Sequence, residues 1–108
     1  MSEKFLKNSI ILTSAEEIER QIRAFAPYPG AYAVFRQKKV KVLKARVYQS
    51  GEKWKAGQVL GYDRKKGLLV GTGDGILMIE ELQPENKKTQ SSQEFCCGYR
   101  IQPGDEFH

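Results

Sequence analysis

The stretch Lys38-Lys39-Val40-Lys41-Val42-Leu43-Lys44-Ala45-Arg46-Val47 alternates charged and apolar residues, and its phase slips by one between Val42 and Leu43. Alternation of this kind belongs to a β-strand with one buried face, because successive side chains leave a pleated backbone on opposite sides. Without correction, the slip would turn the second half of the strand inside out. A β-bulge near Val42 and Leu43 absorbs the extra residue and keeps Lys39, Lys41, Lys44 and Arg46 on the face away from the core. Bulges are common where a sheet curls, so the stretch predicts a small closed or nearly closed barrel.

Working outward, runs of strand-forming residues span Ala31 to Arg36, Val40 to Gln49, Gly57 to Asp63, Gly67 to Thr72 and Gly75 to Leu82. Short polar or glycine-bearing turns separate them, which predicts a meander of about five strands. Gly73-Asp74-Gly75 suits a tight hairpin, making Asp74 a turn residue rather than a catalytic acid. Gly71-Thr72-Gly73-Asp74-Gly75 is no phosphate loop, since such a loop joins a strand to a helix and this one joins two strands.

Upstream, Ser14 and Glu17 have capping-box spacing, and Ile18, Ile22 and Phe25 share one helical face. A helix from about Ala15 to Phe25 is expected, stopped by Pro27 and Pro29, with Gly30 turning the chain into the first strand. Downstream, Glu85 to Gln90 reads as a polar loop. Ser91 with Glu94 repeats the capping box before a helix of one or two turns that Gly98 would end. Gln102 to Asp105 is a turn, and Ile101 and Phe107 on either side of it read as a last short strand able to close the barrel. Met1 to Ser9 reads as an entry segment or linker remnant, and residues 10–108 as one domain. The expected class is therefore mainly β with one or two short helices: five to six strands and an N-terminal helix.

A chain of 108 residues with 40% apolar and 29% charged content suits one domain folding in water. It has no apolar run long enough to cross a bilayer, and Met1 to Lys7 lacks the features of a signal peptide, so a cytoplasmic location is expected. Cys96 and Cys97 are sequence neighbours, unable to staple distant parts of the chain, and are read as free thiols in a reducing compartment.

Charge is concentrated. Residues 36–66 hold eleven cations and two anions, a net of +9, whereas residues 67–108 hold three cations and seven anions. A basic block of this density attracts polyanions. Its members are Arg36, Lys38, Lys39, Lys41, Lys44 and Arg46 on the first hairpin, Arg64-Lys65-Lys66 on a later turn, and Lys53 and Lys55 beside Trp54. Lysine and arginine neutralising phosphates bind nucleic acid largely without regard to sequence. The plain alternative is a solvated face that aids solubility. Trp54, in a polar loop, is the best candidate to stack on an unpaired base, while Tyr48 and Tyr62 suit partial burial at the barrel edge.

Catalytic chemistry is hard to assemble. The single histidine is His108, so no Ser/His/Asp or Cys/His arrangement can form around another imidazole. Cysteine and histidine are too few for a zinc site, no cofactor is indicated, and the acidic residues fall on turns and exposed faces.

In order, Ser14-Ala15-Glu16-Glu17-Ile18, Ile22-Arg23-Ala24-Phe25, Pro27-Tyr28-Pro29-Gly30-Ala31 and Val40-Lys41-Val42-Leu43-Lys44-Ala45 resemble the opening of the C-terminal domain of methionyl-tRNA formyltransferases. The likeness continues through Ala56-Gly57-Gln58-Val59, Val70-Gly71-Thr72-Gly73-Asp74-Gly75, Leu82-Gln83, Lys87-Lys88, Phe95, Gly98 and Gly104. The resemblance implies an oligonucleotide-binding-like (OB-like) β-barrel that lies behind a larger formyl-transferring domain and helps hold initiator tRNA through a basic surface. It adds Lys87, Lys88 and Arg100 to the candidate nucleic-acid contacts. Asn86 stands where the family usually has glycine, and Cys96-Cys97 where it has larger apolar residues. Arg23, inside a family motif but beside the apolar stripe, suits a structural ion pair better than a tRNA contact.

Nothing in the chain corresponds to the formyl-transferring domain, so the expectation is a non-catalytic, monomeric accessory domain partnered by initiator tRNA and by a formyltransferase catalytic domain in cis or trans, without a membrane. The competing reading is a module that docks a separate catalytic domain without binding nucleic acid, using an apolar patch such as Ile10-Ile11-Leu12.

Overall fold

In a computed structural model, residues 14–25, 31–49, 54–63 and 67–107 of the chain are described. The first helix, α1, runs Ala15–Phe25. Ser14 caps it, its Oγ accepting from the Glu17 amide at 3.1 Å, and Ile18 and Ile22 are buried. Phe25 closes the helix with its side chain outside the described residues. Arg23 is exposed and pairs with Glu19 of its own helix at 2.7 Å, an i,i+4 surface pair in place of the expected tie to the barrel.

Among the described residues six strands follow: β1 (Ala31–Phe35), β2 (Lys38–Gln49), β3 (Val59–Asp63), β4 (Gly67–Gly71), β5 (Ile76–Pro84) and β6 (Gln90–Ser91). They form one antiparallel sheet in the order β1-β2-β5-β4-β3, with β6 also on β5. β1 and β2 meet in a two-residue turn whose members Arg36 and Gln37 both have positive φ, 51° and 69°. That backbone matches the twist of the flanking strands and is usually made with glycine or asparagine.

The bulge read from the phase slip is present. Val42 pairs with Leu82 and Lys44 with Glu81, leaving Leu43 as the extra residue on β2. Ala45 then pairs with Ile79, so β5 carries its own extra residue at Glu80 and the original register returns. Val40, Val42 and Ala45 are buried on one side while Lys39, Lys44 and Arg46 are exposed on the other, with Lys41 half-buried among them.

The sheet does not close into a barrel. Among the described residues, the gap between the edge strands β1 and β3 is spanned only by isolated bridges, Phe35 to Phe107 and Gln58 to Glu106. The turn at 102–105, where Asp105 Oδ2 accepts from the Gln102 amide at 2.9 Å, leads into these two bridges. The gap is filled by side chains instead. The second helix, α2 (Ser92–Tyr99), brings Phe95 and Tyr99 against Phe35 and Phe107, with ring centroids 4.6 to 6.2 Å apart. Phe95 and Phe107 are almost completely buried, and each fully buried ring of this kind contributes on the order of 2 kcal/mol from the area it removes from water.

The capping box at the start of α2 is complete: Ser91 Oγ accepts from the Glu94 amide and the Glu94 carboxylate accepts from the Ser91 amide. Its end differs from expectation. Gly98 lies inside the helix, and Arg100 is the left-handed C-cap at φ 53°, its N–H donating to the Cys96 carbonyl. The glycine turn between β4 and β5 is a hairpin, as expected. Buried Thr72 ties it, its Oγ1 donating to the Gly75 carbonyl at 2.8 Å, and the Asp74 carbonyl accepts from the first amide of α1. Cys96 is buried and Cys97 exposed, both as free thiols.

Candidate nucleic-acid interface

The outward side of the sheet is organised by strand register. Tyr32 of β1, Lys41 of β2 and Gln83 of β5 pair in one row across three strands. Lys39 stands in the next row opposite Val34, and its carbonyl accepts from the Glu85 amide at 3.0 Å. These side chains line a cleft of about 360 Å³ roofed by Pro84, Glu85 and Asn86. The Lys41 ammonium lies 5.6 Å from the centre of the Tyr32 ring, a cation–π distance. The Gln83 amide nitrogen donates to the Lys87 carbonyl at 3.0 Å, fixing the turn that carries Lys87 and Lys88 beside the cleft. Asn86 sits at φ 64°, and asparagine is among the few non-glycine residues that accept that conformation.

The remaining sequence candidates divide. Lys38, Lys39, Lys44, Lys87 and Lys88 are exposed. Lys44 and Arg46 face acidic partners on β5: Lys44 pairs in register with Glu81, and the Arg46 guanidinium lies 3.6 Å from Glu80. The Arg46 end of the basic stripe is thus partly compensated by β5 acids. Arg36 is engaged within the fold, donating to the Tyr99 carbonyl at 2.7 Å and reaching Asp105 at 3.4 Å. Arg100 is exposed at the end of α2, next to that anchor rather than on the β2 face. Trp54 is half-buried with its Cβ packed against Gly71, and its Nε1 has no hydrogen-bond partner among the described residues. Arg64, Lys65 and Lys66, with Lys53, lie outside the described residues.

Sequence reasoning missed Tyr32, Gln83 and Glu85. Tyr32 had a legible signal, a polar-tipped aromatic between Ala31 and Ala33 on the outward phase of a strand. Gln83 and Glu85 had none, because only the pairing of β5 with β2 brings them to the lysines. Among the described residues no group of three His, Cys, Asp or Glu could hold a metal ion, and no helix is long and apolar enough to cross a membrane.

Residues 11–100 match the sequence model of the formyl transferase C-terminal domain. The chain belongs to this family. As a formyl transferase C-terminal domain it is 51% identical over 94 residues to the methionyl-tRNA formyltransferase of Carboxydothermus hydrogenoformans, covering 87% of this chain and 30% of that protein. It is 39% identical over 94 residues to the methionyl-tRNA formyltransferase of a Sulfurihydrogenibium species, with the same coverage. The chain spans about 30% of the length of these relatives. The fold of this formyl transferase C-terminal domain is similar to part of HypX from Aquifex aeolicus, solved in complex with tetrahydrofolic acid: the TM-score is 0.71 at 20% identity, over 98% of this chain and 19% of that one.

Proposed function

We propose that this chain is a tRNA-holding accessory domain of the methionyl-tRNA formyltransferase type, gripping the initiator tRNA backbone while another domain carries out formyl transfer. The observation that carries the reading is the row of cations on the outward face of β2, exposed Lys39, Lys44 and Arg46 with half-buried Lys41, extended by exposed Lys87 and Lys88 on the adjoining turn. A rigid sheet holds these ammonium groups at fixed spacing against a phosphate backbone, and the bulge at Leu43 keeps the second half of the strand on the same side. The relatives act on methionyl-tRNA by name, which agrees with that partner.

The test is titration of the chain with tRNA and with duplex DNA of similar size at two salt concentrations. Binding that falls steeply with salt and favours tRNA supports the reading. Loss of binding in the Lys39→Glu, Lys41→Glu pair, with the circular dichroism spectrum unchanged, places the contact on this face; unchanged affinity removes it.

A second reading, a module that docks a separate catalytic domain, is favoured by the exposure of Val47 and Tyr48 at the far end of β2. It predicts association with a formyltransferase catalytic domain that survives high salt. The Ile10-Ile11-Leu12 run considered for that role lies outside the described residues.

A further inference from the structure

We infer that the cleft bounded by Tyr32, Lys39, Lys41, Gln83 and Glu85 is a seat for one ribonucleotide of an RNA strand, and that it distinguishes RNA from DNA. This deepens the tRNA-holding reading and rests on it.

The lining is chemically two-sided. From β2 come two ammonium groups, Lys39 and Lys41, which donate and carry positive charge. From β5 and its turn come groups that accept. Gln83 is oriented by one of its amide N–H groups donating to the Lys87 carbonyl, and its amide oxygen is an acceptor. Glu85 offers a carboxylate, which when ionised only accepts hydrogen bonds. A bare phosphate would gain from the lysines and be repelled by Glu85. A ribonucleotide satisfies both sides, with its phosphate on the lysines and its ribose hydroxyls donating to the acceptors. Carboxylates recognise ribose hydroxyls in the same way at dinucleotide sites.

Size and rigidity agree with that occupant. About 360 Å³ lies within the range of small-ligand pockets and is too confined for a duplex. The walls come from three paired strands, and the Lys39 carbonyl holds the Glu85 amide, fixing the carboxylate-bearing turn against the lysine-bearing strand. The Tyr32 ring, beneath the Lys41 ammonium, gives the cleft an apolar wall. Because the 2′-hydroxyl is the donor that DNA lacks, the acceptor side makes the cleft selective for RNA.

The experiment compares fluorescence anisotropy of a short single-stranded RNA with DNA of the same sequence, for the native chain, Glu85→Ala and Glu85→Gln. The expected preference for RNA is roughly three- to tenfold, the effect of about one hydrogen bond. Removing a negative charge strengthens any purely electrostatic binding, so the sign of the Glu85→Ala effect is decisive. The seat predicts weaker RNA binding, unchanged or stronger DNA binding and a preference near one, with Glu85→Gln recovering the preference through its remaining acceptor oxygen.

If Glu85→Ala instead tightens RNA and DNA alike, the ribose seat is wrong while the basic face stands. If the native chain binds neither strand nor tRNA at low salt, the tRNA-holding reading falls and the seat with it. If a free ribonucleoside monophosphate competes as well as the RNA strand, the cleft serves a small molecule and the inference is overturned.

Discussion

The Arg36 guanidinium donates to the Tyr99 carbonyl oxygen at 2.7 Å, joining residues 63 positions apart in the chain. Arg36 also stacks over Phe35 at 4.8 Å and reaches Asp105. One side chain therefore ties the first hairpin to the C-terminal end of α2 and to the 102–105 turn, across the gap where the sheet does not close. Replacement by alanine is expected to cost about 1 to 2 kcal/mol, as a partly exposed charge-assisted hydrogen bond with a cation–π contact would. Urea unfolding of Arg36→Ala measures it. A loss of tRNA affinity as large as that of the Lys39→Glu, Lys41→Glu pair would show that Arg36 serves RNA rather than the fold.

The compensation of Lys44 and Arg46 by β5 acids makes the two ends of β2 unequal. Lys39 is exposed, and Lys39→Ala should lower the slope of log affinity for tRNA against log salt by about 1, the value of one lost phosphate contact. Arg46→Ala should lower it by less, because its charge is shared with Glu80. Equal slopes for the two variants would contradict this ordering.

Trp54 and Gly71 are packed so that a Cβ on residue 71 would lie 2.8 Å from the Trp54 Cβ and 3.1 Å from the Lys55 carbonyl. Gly71→Ala therefore forces the tryptophan loop away from β4, at about 1 to 3 kcal/mol. Trp54 is the single tryptophan, so its emission reports directly. A shift toward the red together with a lower melting temperature is expected; an unchanged spectrum would show that the loop is not seated there.

Burial, helped by the neighbouring Cys97, pushes the Cys96 thiol up to about 11 from its ordinary value of 9.0. The unfolded chain thus releases this proton at lower pH than the folded one. The contribution of Cys96 is fully present below pH 9.0 and is lost as pH rises through about 11. The native chain should lose stability over that window more steeply than Cys96→Ala, in chemical unfolding at matched pH. At neutral pH a thiol reagent should modify Cys97 quickly and Cys96 only after unfolding.

Asn86 holds φ 64° in the turn that roofs the cleft. Asn86→Gly should leave stability within a few tenths of a kcal/mol or raise it, whereas Asn86→Ala should lower it by about 1 kcal/mol. Thermal melts of the two variants order them; alanine matching glycine would mean that the turn relaxes out of this conformation.

Features set by neighbouring residues were legible in the chain itself. α1 runs from Ala15 to Phe25 as read, because its cap, its apolar spacing and the prolines after it all act within a few residues. The bulge was legible because the two-residue period of a strand makes any slip visible at Val42 and Leu43. The Ser91–Glu94 box likewise announced α2. Its end was misread because the glycine signal at Gly98 is generic. The helix continues past it to set Tyr99 against Phe35, a packing decision made by residues far apart in the chain.

By itself, then, the sequence determined the helices, the first five strands, the bulge and a basic strand face, each through short-range periodicity or turn chemistry, but not the short β6. The resemblance through residues such as Val70 to Gly75 pointed to the family. Only the tertiary structure decided which cations meet partners within the fold. Strand pairing placed Glu80 and Glu81 beside Arg46 and Lys44, folded Arg36 onto Tyr99, and set Gln83 and Glu85 across from Lys39 and Lys41. Register between strands tens of residues apart fixes those juxtapositions, and such a register leaves no local trace in the order of the residues.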